Sequence, residues 1–125
     1  MTHRFPVRVY YEDTDMGGIV YHANFLKYIE RARSAWVRDL GIDQNAMRAG
    51  GTVFVVRRVE ADYLAPARFD DALEVVTETA SVSAARLVME QVVMRGATAL
   101  FRAMVTVVCV GPNGAPVRLP SVLRP

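Results

Sequence analysis

Only one stretch of this chain carries the hydrophobic period of a long helix. From Asn24 to Leu40, Phe25, Ile29, Ala32, Trp36 and Leu40 recur every three or four residues, with Tyr28 beside them. Lys27, Glu30, Arg31, Arg33, Arg38 and Asp39 fall largely off that stripe. A segment of this kind forms a helix with one apolar face. At roughly 25 Å it can cross a small domain. Asn24 is placed to be its N-cap, and Gly41 to be the residue just past its end. Whatever the chain folds into has one long helix to cover.

The remaining apolar segments read as strands. Phe5 to Tyr11 alternates, with Val7, Val9 and Tyr11 on one face, and predicts a first strand. Ile42 to Ala49 predicts a short second helix, closed by Gly50-Gly51. Four strand candidates follow: Thr52 to Leu64, Leu73 to Val82, Arg86 to Arg95 and Ala99 to Val110. The breaks at 83–85 and 96–98 are short enough for antiparallel hairpins. In the last strand Phe101, Ala103, Val105, Val107 and Cys109 share an all-apolar face, and the long helix is the available partner. The proline-containing tail after Gly111 is expected to be irregular. The order is strand, helix, then four strands, with no βαβ alternation. That predicts an α+β fold in which a five-stranded antiparallel sheet wraps one helix, as a single domain over residues 1–125.

The bulk properties agree and exclude several functions. The chain has 125 residues, 52% hydrophobic and 22% charged, which supplies a core and argues against disorder. A net charge of +2 is far from that of a dedicated nucleic-acid binder, yet suits an anionic small molecule carrying phosphates. One cysteine excludes an intramolecular disulfide. No apolar run of signal-peptide or membrane-spanning length is present, so a cytoplasmic protein with no membrane span is expected.

Candidate chemistry concentrates in Tyr10 to Phe25, YYEDTDMGGIVYHANF. Asp15 lies between the strand end and a glycine pair, just ahead of the helix. A carboxylate there can act as base toward water or attack an activated carbonyl. It can equally cap a turn, as can Asp13. The helix N-terminus that follows offers unpaired N–H groups suited to a developing oxyanion. His22 can hydrogen-bond a substrate or serve only local backbone groups, and residue type leaves both open. Tyr11 is either core or a hydroxyl beside Asp15. Gly17 and Gly18 allow close approach. Arg57, Arg58, Arg31 and Arg33 are candidates for phosphate contact or for solvated faces. His3 is expected in a mobile terminus. Two distant histidines and one cysteine make a poor metal set, so no metal is expected. Cys109 reads as a buried small hydrophobe. The chain has neither a P-loop nor a GxSxG elbow.

The string VYYEDTDMGGIVYHANFLKYIERAR, with the weaker Tyr63-Leu64-Ala65-Pro66-Ala67 and Asp71, resembles the 4-hydroxybenzoyl-CoA thioesterase group of hotdog-fold proteins. It is most similar to the acyl-CoA thioesterases associated with the bacterial Tol-Pal system. The resemblance implies the hotdog fold and a homodimer or homotetramer with active sites at the dimer interface. It implies hydrolysis of acyl-CoA, with acyl carrier protein as an alternative carrier, and no cofactor. Carried over position by position, the catalytic aspartate falls on Asp15. The subgroup's histidine falls on His22, whose N–H takes the place of the oxyanion donor, and its tyrosine on Tyr11. Gly18 and Tyr21 match positions that shape the loop and line the pocket. Other hotdog enzymes, the dehydratases and hydratases, carry strings absent here. A non-catalytic acyl-CoA-binding module or scaffold in lipid or envelope metabolism is the second expectation.

Overall fold

The computed structural model describes residues 2–125. The chain runs β1 (Thr2–Arg8), a 3-10 turn (Tyr11–Asp13), α1 (Asn24–Asp39), α2 (Gln44–Ala49), β2 (Val53–Tyr63), β3 (Ala72–Val82), β4 (Arg86–Arg95), β5 (Thr98–Val110) and β6 (Pro116–Val117). The sheet is antiparallel throughout, in the order β1-β3-β4-β5-β2. Five long strands on one long helix is the expected α+β architecture. One strand was not expected: β6, two residues of the tail, pairs with the end of β5 at Cys109 and Val110. The reach of β5 past the start of β4 explains it, because Arg86 pairs with Val108 and leaves the last two residues of that edge open.

α1 buries Phe25, Tyr28, Ile29, Ala32, Trp36 and Val37, the stripe read from the sequence with Val37 added and without Leu40, which is only partly buried just past the helix end. Each of the large apolar side chains removed from water contributes about 1.5–3 kcal/mol. Opposite them lie Phe101, Ala103, Val105, Val107 and Cys109 of β5, all buried, with Leu87, Met89 and Val93 of β4 and Val75 of β3. Cys109 is therefore core, and burial pushes its thiol pKa up. Gly41 ends the helix with φ at +85°, a conformation that favours glycine.

A polar row crosses the sheet beneath α1. His3, Thr77, Gln91 and Ala103 are register partners. Gln91, fully buried, donates from Nε2 to the Ile29 carbonyl (2.9 Å) and to Thr77 Oγ1 (3.0 Å), and its Oε1 accepts from the Arg33 guanidinium (3.0 Å). His3 is not in a loose terminus: it sits in β1 with Nε2 2.9 Å from Asp39 Oδ2, tying the first strand to the end of α1.

Two local expectations are corrected. β1 ends at Arg8, and Tyr11 stands in the turn that follows, 82% exposed rather than on the buried face with Val7 and Val9. Val9 keeps its burial without strand membership, through Val9 N–H to Asp71 O (3.0 Å) and Asp70 N–H to Val9 O (2.9 Å). Asn24 is the first helical residue and not the cap. Ala23 precedes it, and no side chain caps α1.

Candidate active site

The segment between β1 and α1 folds back on itself. Thr14 and Val20 form an antiparallel bridge, Asp15 N–H donates to Ile19 O (2.9 Å), and Gly18 N–H donates to Asp15 O (3.0 Å). This tight reversal presents the Asp15 side chain at the surface. Its Oδ1 accepts from Gly17 N–H at 2.8 Å. A Cβ on Gly17 would stand 3.2 Å from that same oxygen, so a glycine there keeps the carboxylate uncrowded. Gly18 is needed for another reason: its φ is +78°.

The second arm of the reversal is pinned to the loop after β2. Val20 N–H donates to Ala67 O (2.8 Å), and Ile19 bridges Arg68. That loop is itself clamped. Asp71 Oδ2 accepts from Arg68 N–H (2.9 Å) and from the Arg95 guanidinium (3.0 Å), which also donates to Pro66 O (3.0 Å). The Arg68 N–H, and then Arg95, hold the Asp71 carboxyl below the usual range against the opposing effect of burial.

Between these pieces lies an open cavity of about 430 Å³. Asp15, His22, Phe25 and Tyr63 line it, with Leu64, Ala65 and Pro66 along one side. The structure thus brings Asp15 and His22 to one cavity. Two backbone donors belong to His22 and to its neighbour in the chain. The N–H groups of His22 and Ala23 donate to no protein acceptor among the described residues, and α1 lacks a side-chain cap. A helix end of this kind carries partial positive charge and free donors. An acid, two unpaired N–H groups and an apolar wall can seat a carbonyl compound and stabilise charge on its oxygen.

Tyr63 is the residue that the sequence reading missed. Its hydroxyl donates to His22 O at 2.9 Å. Its ring meets His22, Phe25 and Phe101 edge-on, with centroids 6.2, 5.9 and 4.9 Å away. Its position as the last residue of a strand, just before Leu64-Ala65-Pro66, was the available signal.

The other candidates stand elsewhere. Tyr11 packs its ring against Phe69, centroids 6.4 Å apart, and the Tyr21 ring lies tilted against His22 at 4.6 Å; neither they nor Gly18 line the cavity. Arg57 sits at the bulge of β2, and Arg58 pairs with Glu60 at 3.3 Å. Arg58 is five residues before Tyr63, roughly 17 Å along a strand. Arg33 and Glu30 border a second cavity of about 270 Å³, over an apolar floor that includes Phe54, Leu87 and Met89. Arg31 lies over the Tyr28 ring at 5.8 Å.

Comparisons with known proteins bear on this geometry. A family model described as the thioesterase-like superfamily matches residues 9–125. The Escherichia coli protein named acyl-CoA thioester hydrolase YbgC is 48% identical over 110 residues, 87% of this chain and 82% of that one. The Haemophilus influenzae protein named acyl-CoA thioesterase YbgC is 46% identical over 107 residues, 85% and 79% of the two chains. Among solved structures, a probable thioesterase from Bartonella henselae superposes with a TM-score of 0.92 at 37% identity, covering 96% of this chain and all of that one.

Proposed function

The chain belongs to the thioesterase-like superfamily, with the hotdog fold, and from that premise we propose that it hydrolyses acyl-CoA thioesters to a free acid and CoA through Asp15. The observation that carries the reading is that Asp15 and His22 line one cavity, where the His22 N–H is free. The thioester carbonyl oxygen sits toward the His22 and Ala23 N–H groups. Asp15 takes a proton from water as the water oxygen bonds to the carbonyl carbon. The carbon–sulfur bond then breaks, and the CoA thiolate leaves and is protonated. Alternatively Asp15 attacks the carbon itself, and water cleaves the mixed anhydride that results. Neither route draws on a metal or organic cofactor. The His22 ring, held between Tyr21 and Tyr63, orients the substrate. Tyr11, Gly18 and Tyr21 shape the approach to it.

Within the superfamily, the string from Val9 to Arg33 supports a finer reading, membership of the 4-hydroxybenzoyl-CoA thioesterase group beside the Tol-Pal-associated enzymes. The reading puts it in the cytoplasm; no helix among the described residues is long and apolar enough to cross a membrane. CoA or acyl carrier protein can present the acyl group.

The working unit is a homodimer, or a tetramer of two such dimers. β2 is an eleven-residue strand at the sheet edge, and its Val53, Val55, Val56, Val59 and Tyr63 are exposed. A long apolar edge of this kind pairs with another strand. Antiparallel pairing of two β2 strands sets the Phe54 end of one beside the Tyr63 end of the other. The second chain then walls the open side of the Asp15 cavity and carries its own Arg57 and Arg58 to the shared seam, where phosphates of CoA can reach them.

Replacing Asp15 by Asn tests the reading. Thiol release from a panel of acyl-CoAs, followed with a thiol-reactive dye, is expected to fall by about 10²–10⁴-fold with an unchanged circular dichroism spectrum. Wild-type turnover by the variant would remove Asp15 from its role. Tight acyl-CoA binding by the wild-type protein with no thiol released would favour a binding module instead.

A further inference from the structure

Asp15 stands on a loop, whereas the free N–H groups stand on a helix end, and the two must be held at a fixed separation. The loop first closes on itself. Tyr10 N–H donates to Asp13 Oδ2 (2.8 Å), Asp13 N–H to Tyr10 O (3.0 Å) and Thr14 Oγ1 to Tyr11 O (2.7 Å). The Asp13 carbonyl is then the point of attachment to the helix. It accepts twice, from Tyr21 N–H and from Asn24 Nδ2, each at 2.9 Å. Asn24 is fastened on its own side as well, by its N–H to Tyr21 O at 2.8 Å. It therefore links a residue two before Asp15 to a residue two after His22.

The direction of that side chain is informative. An asparagine in the N-cap position turns its oxygen inward to accept from helix N–H groups. Asn24 stands one place later, makes no cap, and donates its amide outward to the loop. The His22 and Ala23 N–H groups, which precede it, stay unpaired among the described residues. Below it, the wholly buried Tyr28 faces the Asp13 carboxylate without reaching hydrogen-bond geometry; burial, and then Asp13, raise its pKa, so it stays protonated beside the carboxylate.

Resting on the thioesterase reading, we infer that Asn24 is a positioning residue: its side-chain N–H to the Asp13 carbonyl sets the Asp15 carboxylate at working distance from the helix N-terminus, and Asn24 itself touches no substrate. Steady-state thiol release by Asn24→Ala and Asn24→Asp, with Asp15→Asn alongside, tests this. For Asn24→Ala the expected result is a kcat lowered at least tenfold, with KM within twofold of wild type. Asn24→Asp suits a helix start and keeps the fold, but its carboxylate cannot donate. Its kcat is therefore expected to fall as far as that of Asn24→Ala, with KM within twofold and an unchanged circular dichroism spectrum. A purely structural role predicts wild-type kcat in this well-folded variant. Wild-type kcat in Asn24→Ala, a loss confined to KM, or wild-type kcat in Asn24→Asp overturns the inference. If Asp15→Asn is inactive while Asn24→Ala is unimpaired, only this inference fails. If Asp15→Asn is active, the thioesterase role of Asp15 fails first.

Discussion

At the residue scale the site turns on contacts between positions distant in sequence. Tyr63 reaches the His22 carbonyl from across the sheet. Tyr63→Phe keeps the ring against Phe25 and Phe101 and removes one hydrogen bond, an effect of about 1 kcal/mol. Steady-state kinetics should show kcat/KM lowered by roughly fivefold, with a melting temperature lower by a few degrees. Asp15 and His22 were legible as candidates because they sit in one dense local string, and the structure does bring them to one cavity. Tyr63 carried only a weak local signal, its place at a strand end before Leu64-Ala65-Pro66, because its contact is fixed by the pairing of β2 with β5, where it lies opposite Phe101. Tyr11 shows the converse. Alternation with Val7 and Val9 placed it on the buried face, but Asp13 captures Tyr10 N–H, starts a 3-10 turn and rotates the next side chain out.

At the scale of elements, most boundaries were readable and one connection was not. α1 and the four later strands fall within a residue or two of their expected limits, because burial imposes their periods. The loop from Leu64 to Asp71 has no period, and its form comes from a long-range clamp between Asp71 and Arg95. That clamp has a pH signature. The folded pKa of Asp71 is depressed, so its contribution is complete above the ordinary aspartate range, about 4, and is lost as pH falls through the lower folded value. Asp71→Asn should therefore be less stable than wild type at pH 7, by about 1–3 kcal/mol. The gap should narrow at pH 3, as measured by urea unfolding at the two pH values. A gap that stays constant would mean that the carboxylate charge is not what the clamp uses.

At the scale of the whole molecule, the open apolar edge of β2 is where the proposed dimer can be tested. Val59 is 40% exposed, so a lysine there is tolerated by the isolated chain yet opposes a second apolar strand. Light scattering should show Val59→Lys at the mass of one chain, with thiol release reduced because the cavity loses its second wall. An unchanged mass would move the interface away from β2. The bare N-terminus of α1 bears on the molecule as a whole too. Most helices of this length carry a Ser, Thr, Asp or Asn side chain at that place, worth about 1 kcal/mol, and here Ala23 stands there. The fold's one long helix is thus left unfinished beside the proposed substrate cavity. Selection for heat resistance alone would complete it, and an acidic cap gained in that way would set a negative charge beside the developing oxyanion.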